Sequence, residues 1–204
     1  AVAVLYPSVL HVVTADRTGI RTLSDLRGRR VAVGSFRGAR TEMVVRIVLS
    51  EVGLSFDDIE PVWLPRTEMA HAVSRGTIDA ACHFGGFALF DAAGKFRPIS
   101  VSRQVAGHIQ EKYPFIRPTV VPGGTYPGQD AVVASISIDM LLVSRRDLGE
   151  RLVYDVVSVV SDALPILART NQVLRTVEPR NMPTPPIPLH PGAVRFYREQ
   201  ALLR

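Results

Sequence analysis

One cysteine, one tryptophan and two lysines among 204 residues set the first limits on this chain. A single cysteine, Cys82, excludes a disulfide framework within the chain. Its Ala-Ala-Cys-His-Phe setting predicts a buried strand, in which a free thiol behaves as a small hydrophobe. No apolar run nears the ~20 residues that a membrane-spanning helix needs. The opening stretch AVAVLYPSVLHVV lacks the basic segment and cleavage site of a signal peptide. It reads as interior strand, so a preceding portion of the fold is expected upstream of Ala1. All but two of the 24 basic residues are arginines, spread from Arg17 to Arg204 with no basic block, no basic helix and no interleaved aromatics. That scatter argues against a nucleic-acid partner despite the net charge of +5. His11, His71, His108 and His190 show no metal-ligand spacing. There is no G-x-S-x-G elbow, no paired-carboxylate site and no Cys–His dyad, so neither enzymatic chemistry nor a cofactor is expected. At 47% apolar and 21% charged, the composition is that of a soluble globular protein, one large domain or two small lobes.

What is present is concentrated in GIRTLSDLRGRRVAVGS, Gly19–Ser35. Thr22 and Asp25 have capping-box spacing, Gly28 supplies a left-handed stop, and Val31-Ala32-Val33 is a short apolar strand. The chain then turns through Gly34–Arg40 into an apolar helix opening at Thr41. A strand feeding a glycine-containing turn and a helix N-terminus directs backbone N–H groups at one place, which suits a carboxylate or a phosphate. The turn is a near miss for a P-loop, with Ala39 where the second glycine belongs and Arg40 for the lysine.

The helix from Thr41 to Val52 places Val44, Val45, Val48, Leu49 and Val52 on one stripe, with Glu42, Arg46 and Ser50 on the opposite, polar face. Further elements are expected at Ser55–Asp58 (helix start), Pro61–Leu64 (extended), Thr67–Arg75 (helix ended by Gly76), Ile78–His83 and Pro98–Val101 (strands), and Gln104–Lys112 (helix). This alternation predicts an α/β fold with a mostly parallel sheet. Pro114–Asp130 carries too many prolines and glycines for a regular element and reads as a long loop. Val132–Val143 reads as a strand. Asp147 and Glu150 have the spacing of a capping box for a long helix with Val153, Val156, Val157, Val160 and Leu164 on its stripe, which Pro165 should end or kink. A proline-rich tail leads to a last helix from about Gly192, and His190 between prolines reads as structural.

Four segments, LYPSVLHVV (Leu5–Val13), GIRTLSDLRGRRVAVG (Gly19–Gly34), KYPF with PGGTYPGQD (Lys112–Asp130) and PIPLHPGAVRFYRE (Pro186–Glu199), resemble in order the TAXI family. These are the solute receptors of TRAP-type transporters, with the type II periplasmic binding-protein fold. The resemblance implies two α/β lobes joined by two crossing strands, with ligand in the cleft between them. On that template residues 1–12 are a remnant of lobe 1 and the first crossover, 13–134 are lobe 2, and 135–204 are the second crossover and the C-terminal part of lobe 1. Hinges are expected near Leu10–Thr14 and Ala134–Ile138. A signal peptide and the rest of lobe 1 are expected upstream.

The same resemblance implies a periplasmic receptor without catalytic activity, for a small carboxylate such as glutamate or a dicarboxylate, delivered to a TRAP permease. Ligand-sensing domains of regulators and some enzymes share this fold and remain alternatives. The family's turn after the Val31–Gly34 strand meets the ligand carboxylate, which makes Ser35, Arg37, Gly38, Ala39, Arg40 and Thr41 candidate contacts. Gly38 and Thr41 match the family pattern, whereas Ala39 replaces a serine and Arg40 a glycine. Arg37 or Arg40 would supply a bidentate clamp. The alternative leaves both arginines in solvent and Thr41 as an N-cap. His83, Phe84 and Gly86 lie where a strand end and its following loop should face the cleft, although His83 also suits a core role. Tyr126 is similar to a family tyrosine near the cleft, or serves packing beside the Pro127-Gly128 turn.

Overall fold

A computed structural model describes residues 1–85, 96–126 and 129–203. They form two compact units, one of residues 9–137 and one of residues 1–8 with 138–204. The elements in chain order are β1 (Ala3–Ala15), β2 (Arg30–Gly34), α1 (Arg40–Ser50), β3 (Glu60–Trp63), α2 (Arg66–Arg75), β4 (Ala80–Phe84), β5 (Phe96–Pro98), α3 (Arg103–Lys112), β6 (Ile116–Val121), β7 (Val133–Leu142), α4 (Glu150–Thr170) and α5 (Pro191–Glu199).

The α/β class expected from the sequence is what the chain has. Strand order is β3-β2-β4-β1-β7-β6, with β5 also on β1. The sheet is mixed rather than mostly parallel. β2 is parallel to β3 and β4, while β1 is antiparallel to β4 and β5. Parallel pairing needs a helical crossover, which α1 and α2 provide. β1 is followed only by single 3-10 turns at Asp16–Thr18 and Leu23–Leu26. The second of these carries the expected capping box, with Thr22 N–H donating to Asp25 Oδ2 at 2.8 Å.

Arg30 ties the starts of β2 and β4 together. Its Nη2 donates to Asp79 Oδ1 at 2.8 Å, its Nε to Oδ2 at 3.1 Å and its backbone N–H to Oδ2 at 2.9 Å. Behind this clamp Val13, Ala32, Met69, Val73, Ile78 and Ala81 form a buried cluster. In α1, Val44, Val45, Val48 and Leu49 are buried as the stripe predicts, each worth about 1.5–3 kcal/mol.

Four expectations give way to the structure. β5 covers Phe96–Pro98 rather than Pro98–Val101, because the pairing with β1 runs from Ala15↔Phe96 to Val13↔Pro98. Beyond it, Val101 N–H turns to Ala134 O at 2.9 Å. The proline-rich segment after Pro114 holds a six-residue strand, β6, with Pro118 inside it. β6 ends the strand order, and an edge strand tolerates a residue without an N–H. Asp147 does not cap α4. The Arg145 guanidinium takes its carboxylate at 3.0 and 2.5 Å, and Gly149 occupies the cap. Finally, of the end or kink expected at Pro165 the end does not occur, since α4 continues through it to Thr170 with the proline on an exposed face.

In the unit of residues 1–8 and 138–204, Val153 and Val157 of α4 pack with Val2, Met182, Phe196 and Tyr197. Val156, expected on the same stripe, is largely exposed. The buried Tyr197 hydroxyl donates to Val2 O at 3.0 Å. His190 has the structural role expected, since its Nδ1 accepts the Gly192 N–H at 3.2 Å and so caps α5.

Candidate functional site

Within the unit of residues 9–137, β2, β3 and β4 are parallel and end at Gly34, Trp63 and Phe84. Ligands of open α/β sheets sit at such carboxyl ends. Gly34 has φ of +147°, and Gly38 has φ of +78°. A Cβ on Gly34 would sit 3.4 Å from Glu42 N and from Thr41 Cβ, so the strand end runs directly against the first turn of α1. The amides of that turn have no carbonyl four residues back to accept them.

The expected strand–turn–helix is therefore present, with details that differ. Ala39, not Thr41, is the N-cap, and Thr41 is the second residue of α1. Ser35, Arg37, Gly38 and Arg40 are exposed, and Phe36 is 65% exposed at the tip of the turn. Neither arginine simply trails into solvent. The Arg37 guanidinium carbon lies 3.9 Å from the Trp63 ring centroid, and that of Arg40 lies 4.6 Å from the Phe84 centroid. Cations stacked on aromatic faces keep their N–H edges directed outward, where a carboxylate is met in plane.

Glu42 departs most from expectation. Placed on the polar face by periodicity, it is buried, and its Oε2 accepts from Gly38 N–H and Trp63 Nε1–H, each at 2.9 Å. Its Oε1 accepts from Arg46 Nε at 3.1 Å and Nη2 at 2.8 Å. The Trp63 and Arg46 hydrogen bonds, followed by that of Gly38, hold its carboxyl below the usual range. Gly38's amide is thus engaged by the chain's own carboxylate. The first amides of α1 and the two arginines stacked on Trp63 and Phe84 lie around the same turn.

His83 lies beside this cluster on β4, next to Phe84. It is only 2% exposed and faces His11 of β1 across the antiparallel register, with ring centroids 5.2 Å apart and nearly parallel. Burial, with the neighbouring His11 second, pushes His83 down to about 3, and burial alone takes His11 down to about 4. Both are neutral imidazoles at pH 7. Tyr126 stands edge-on to His11, with 5.6 Å between centroids and its hydroxyl 3.4 Å from His11 Nε2. Gly86 lies outside the described residues.

The structure thus joins Arg40 to Phe84, and Tyr126 to His83 through His11. Trp63, Glu42 and His11 were not singled out for the site. Trp63 was detectable as a lone tryptophan ending an extended segment. His11 was not, because its partner is 72 positions away and only strand pairing brings them together. Among the described residues no group of His, Cys, Asp and Glu is placed to hold a metal ion.

The sequence model of the NMT1-like family matches residues 1–201. A stretch of 74 residues is 30% identical to a protein of Escherichia coli (strain K12) named for binding aliphatic sulfonates, covering 36% of this chain and 23% of that protein. The crystal structure of the periplasmic aliphatic sulphonate binding protein of E. coli is similar over 98% of this chain and 65% of that one, at 15% identity and a TM-score of 0.47. The alkanesulfonate-binding protein of Xanthomonas axonopodis pv. citri, bound to MOPS, is similar over 100% of this chain and 71% of that one, at 16% identity and a TM-score of 0.46. The chain thus spans less than two thirds of the E. coli structure and under a quarter of the curated relative in the matched stretch.

Proposed function

The chain belongs to the NMT1-like family, and from that premise we propose that it is a solute receptor whose residues 34–41 anchor a small anion, a carboxylate before others. The observation that carries this reading is the pair of guanidinia, Arg37 and Arg40, stacked on Trp63 and Phe84 where α1 begins. Fixed cations beside unmatched helix amides lower the cost of desolvating a carboxylate and leave no work for a nucleophile or general base. In this reading Ser35, Gly38, Ala39 and Thr41 shape the turn, and His83, Phe84 and Tyr126 form its surroundings. The receptor acts outside the cytoplasmic membrane, binds without chemical change and hands its solute to a permease. The resemblance of Lys112–Asp130 and Pro186–Glu199 to TAXI receptors supports a TRAP permease as that partner. No helix among the described residues is long and apolar enough to cross a membrane.

A second reading, an aliphatic sulfonate, is favoured by the E. coli relative named for that class. A sulfonate is also a compact oxyanion, so the same arginines serve it.

Calorimetric titration of the protein with glutamate, succinate, ethanesulfonate and neutral sugars tests both readings. Acids should bind and sugars should not. Arg37→Ala/Arg40→Ala should weaken acid binding by about tenfold or more. Tighter binding of ethanesulfonate than of every carboxylate would transfer the site to the second reading. Binding of sugars alone, or an unaffected double variant, would overturn the anion site.

A further inference from the structure

The unit of residues 1–8 and 138–204 has a cavity of about 420 Å³, lined by no residue of the anion turn. Three pieces of chain wall it. α4 gives Leu164 and Ala168, the stretch after it gives Leu174 and Val177, and α5 with its exit gives Phe196 and Leu202. Asn171 Oδ1 accepts the Val173 N–H at 3.1 Å and opens a 3-10 turn, Gln172–Thr176, which brings Leu174 and Arg175 back beside α4. Ala168 is the smallest side chain of that wall and leaves space there. Apart from Ser161, Arg175 and Gln200, every lining residue is apolar. Met182 and Phe196 are buried and form the floor, whereas Arg175 and Gln200 are exposed and stand at the rim. A volume within roughly 300–1,000 Å³ and an apolar wall with a few polar groups are the marks of a small-molecule site.

Arg175 carries the only charge among the described lining residues. Its Nε donates to Ala168 O at 2.9 Å and its Nη2 to Arg169 O at 3.3 Å, which folds the guanidinium onto the last turn of α4. A guanidinium has five N–H groups, so these two bonds leave both of those on Nη1 and one on Nη2. Among the described residues no carboxylate pairs with it. The carbonyls that end α5 are bonded internally, Phe196 O by Gln200 N–H at 3.0 Å and Tyr197 O by Leu202 N–H at 2.9 Å. The rim therefore carries a fixed cation over an apolar floor.

We propose that this cavity is a second binding site, for a medium-chain fatty acid. The alkyl chain lies on Met182 and Phe196, and the carboxylate meets Arg175 with the Gln200 amide beside it. Charge complementarity decides this occupant. A held guanidinium matches a carboxylate in plane, whereas an alkylammonium is repelled by the same cation. The site goes beyond the reading of residues 34–41 as an anion anchor and does not depend on it.

Octanoate is the probe, followed by NMR on protein labelled at its methionine methyl groups. Met182 reports the cavity, and Met43, exposed on α1, reports the anion turn. Octanoate should shift the Met182 methyl saturably, while octylammonium and acetate at equal concentration should not. From butyrate to octanoate each added methylene should tighten this binding about fourfold. Arg175→Gln, an exposed change that the fold should accept, should weaken octanoate about tenfold at Met182. Ala168→Phe fills the cavity and should abolish the shift. In Arg37→Ala/Arg40→Ala the Met182 response should persist. An octanoate response confined to Met43 would assign the acid to the turn and overturn the cavity site. A Met182 response as strong with octylammonium, or unchanged by Arg175→Gln, would overturn the acid assignment. No shift at Met182 would overturn the proposal and leave the anion turn standing.

Discussion

Glu42 and Trp63 are joined by a hydrogen bond of 2.9 Å from the indole Nε1–H to the carboxylate, and the Arg37 guanidinium rests on the other side of this link, over the indole ring. The carboxylate therefore holds the indole on which the Arg37 guanidinium rests.

Glu42→Ala should strip acceptors from the Trp63 N–H, the Gly38 N–H and Arg46 together, costing about 2–4 kcal/mol in urea unfolding. Glu42→Gln keeps one acceptor and should cost less. The tryptophan emission, arising from a single residue, should shift in the alanine variant and remain near wild type in the glutamine variant. Equal stability of the two variants would mean that the acceptor kept by glutamine carries no weight among these four hydrogen bonds.

The stacked histidines predict a pH dependence of definite sign. Their folded values, about 4 for His11 and about 3 for His83, lie below the ordinary 6.5. As pH falls below 6.5 the unfolded chain takes up protons that the folded chain refuses, so stability is full above 6.5 and is lost on acidification towards 4. Each histidine contributes a slope approaching 1.4 kcal/mol per pH unit. Glu42, held below its ordinary 4.5, loses stability only at lower pH, so the interval from 6.5 to 5 isolates the imidazoles. Urea midpoints across that interval should fall for the wild type and fall less for His83→Gln. A flat wild-type profile would rule the effect out.

Cys82 is buried on β4, and burial pushes its thiol up to about 12. It should resist Ellman's reagent in the folded protein and react fully in denaturant, so its labelling rate reports opening of the sheet. Rapid labelling under native conditions would contradict the placement of β4.

Gly192 faces the start of α4 so closely that a Cβ would collide with the Glu150 carbonyl oxygen. Gly192→Ala should destabilise the unit of residues 1–8 and 138–204 by about 1–3 kcal/mol, read as a lower thermal midpoint. A variant as stable as wild type would show that α5 shifts freely on α4.

Where local chemistry decides an element, the sequence was legible. The Thr22–Asp25 box, the glycine stop at Gly76, the apolar face of α1 and the strand around Cys82 all stand where their residues place them. Failures arose where a partner outside the local pattern decides. Asp147 has the right spacing for a cap, but Arg145 binds its carboxylate first. Glu42 lies on the polar side by periodicity, yet Trp63, 21 positions later, draws it inward. Pro118 looks like a breaker until the sheet order puts its strand at an edge. For the site, the turn at 34–41 was visible because strand, glycine and helix start are contiguous. The aromatic seats of its arginines were not, because they come from the ends of two other strands.

The prolines in β3 and β6 have a further consequence. Pro61 and Pro118 each remove a donor from the strands at the two ends of the sheet order, and exposed Arg117 adds charge beside the second. A neighbouring molecule that approaches either margin finds an interrupted ladder and, at β6, a guanidinium to desolvate. The protein is thereby protected against edge-to-edge polymerisation at high concentration, even though β6 carries an exposed valine at position 120.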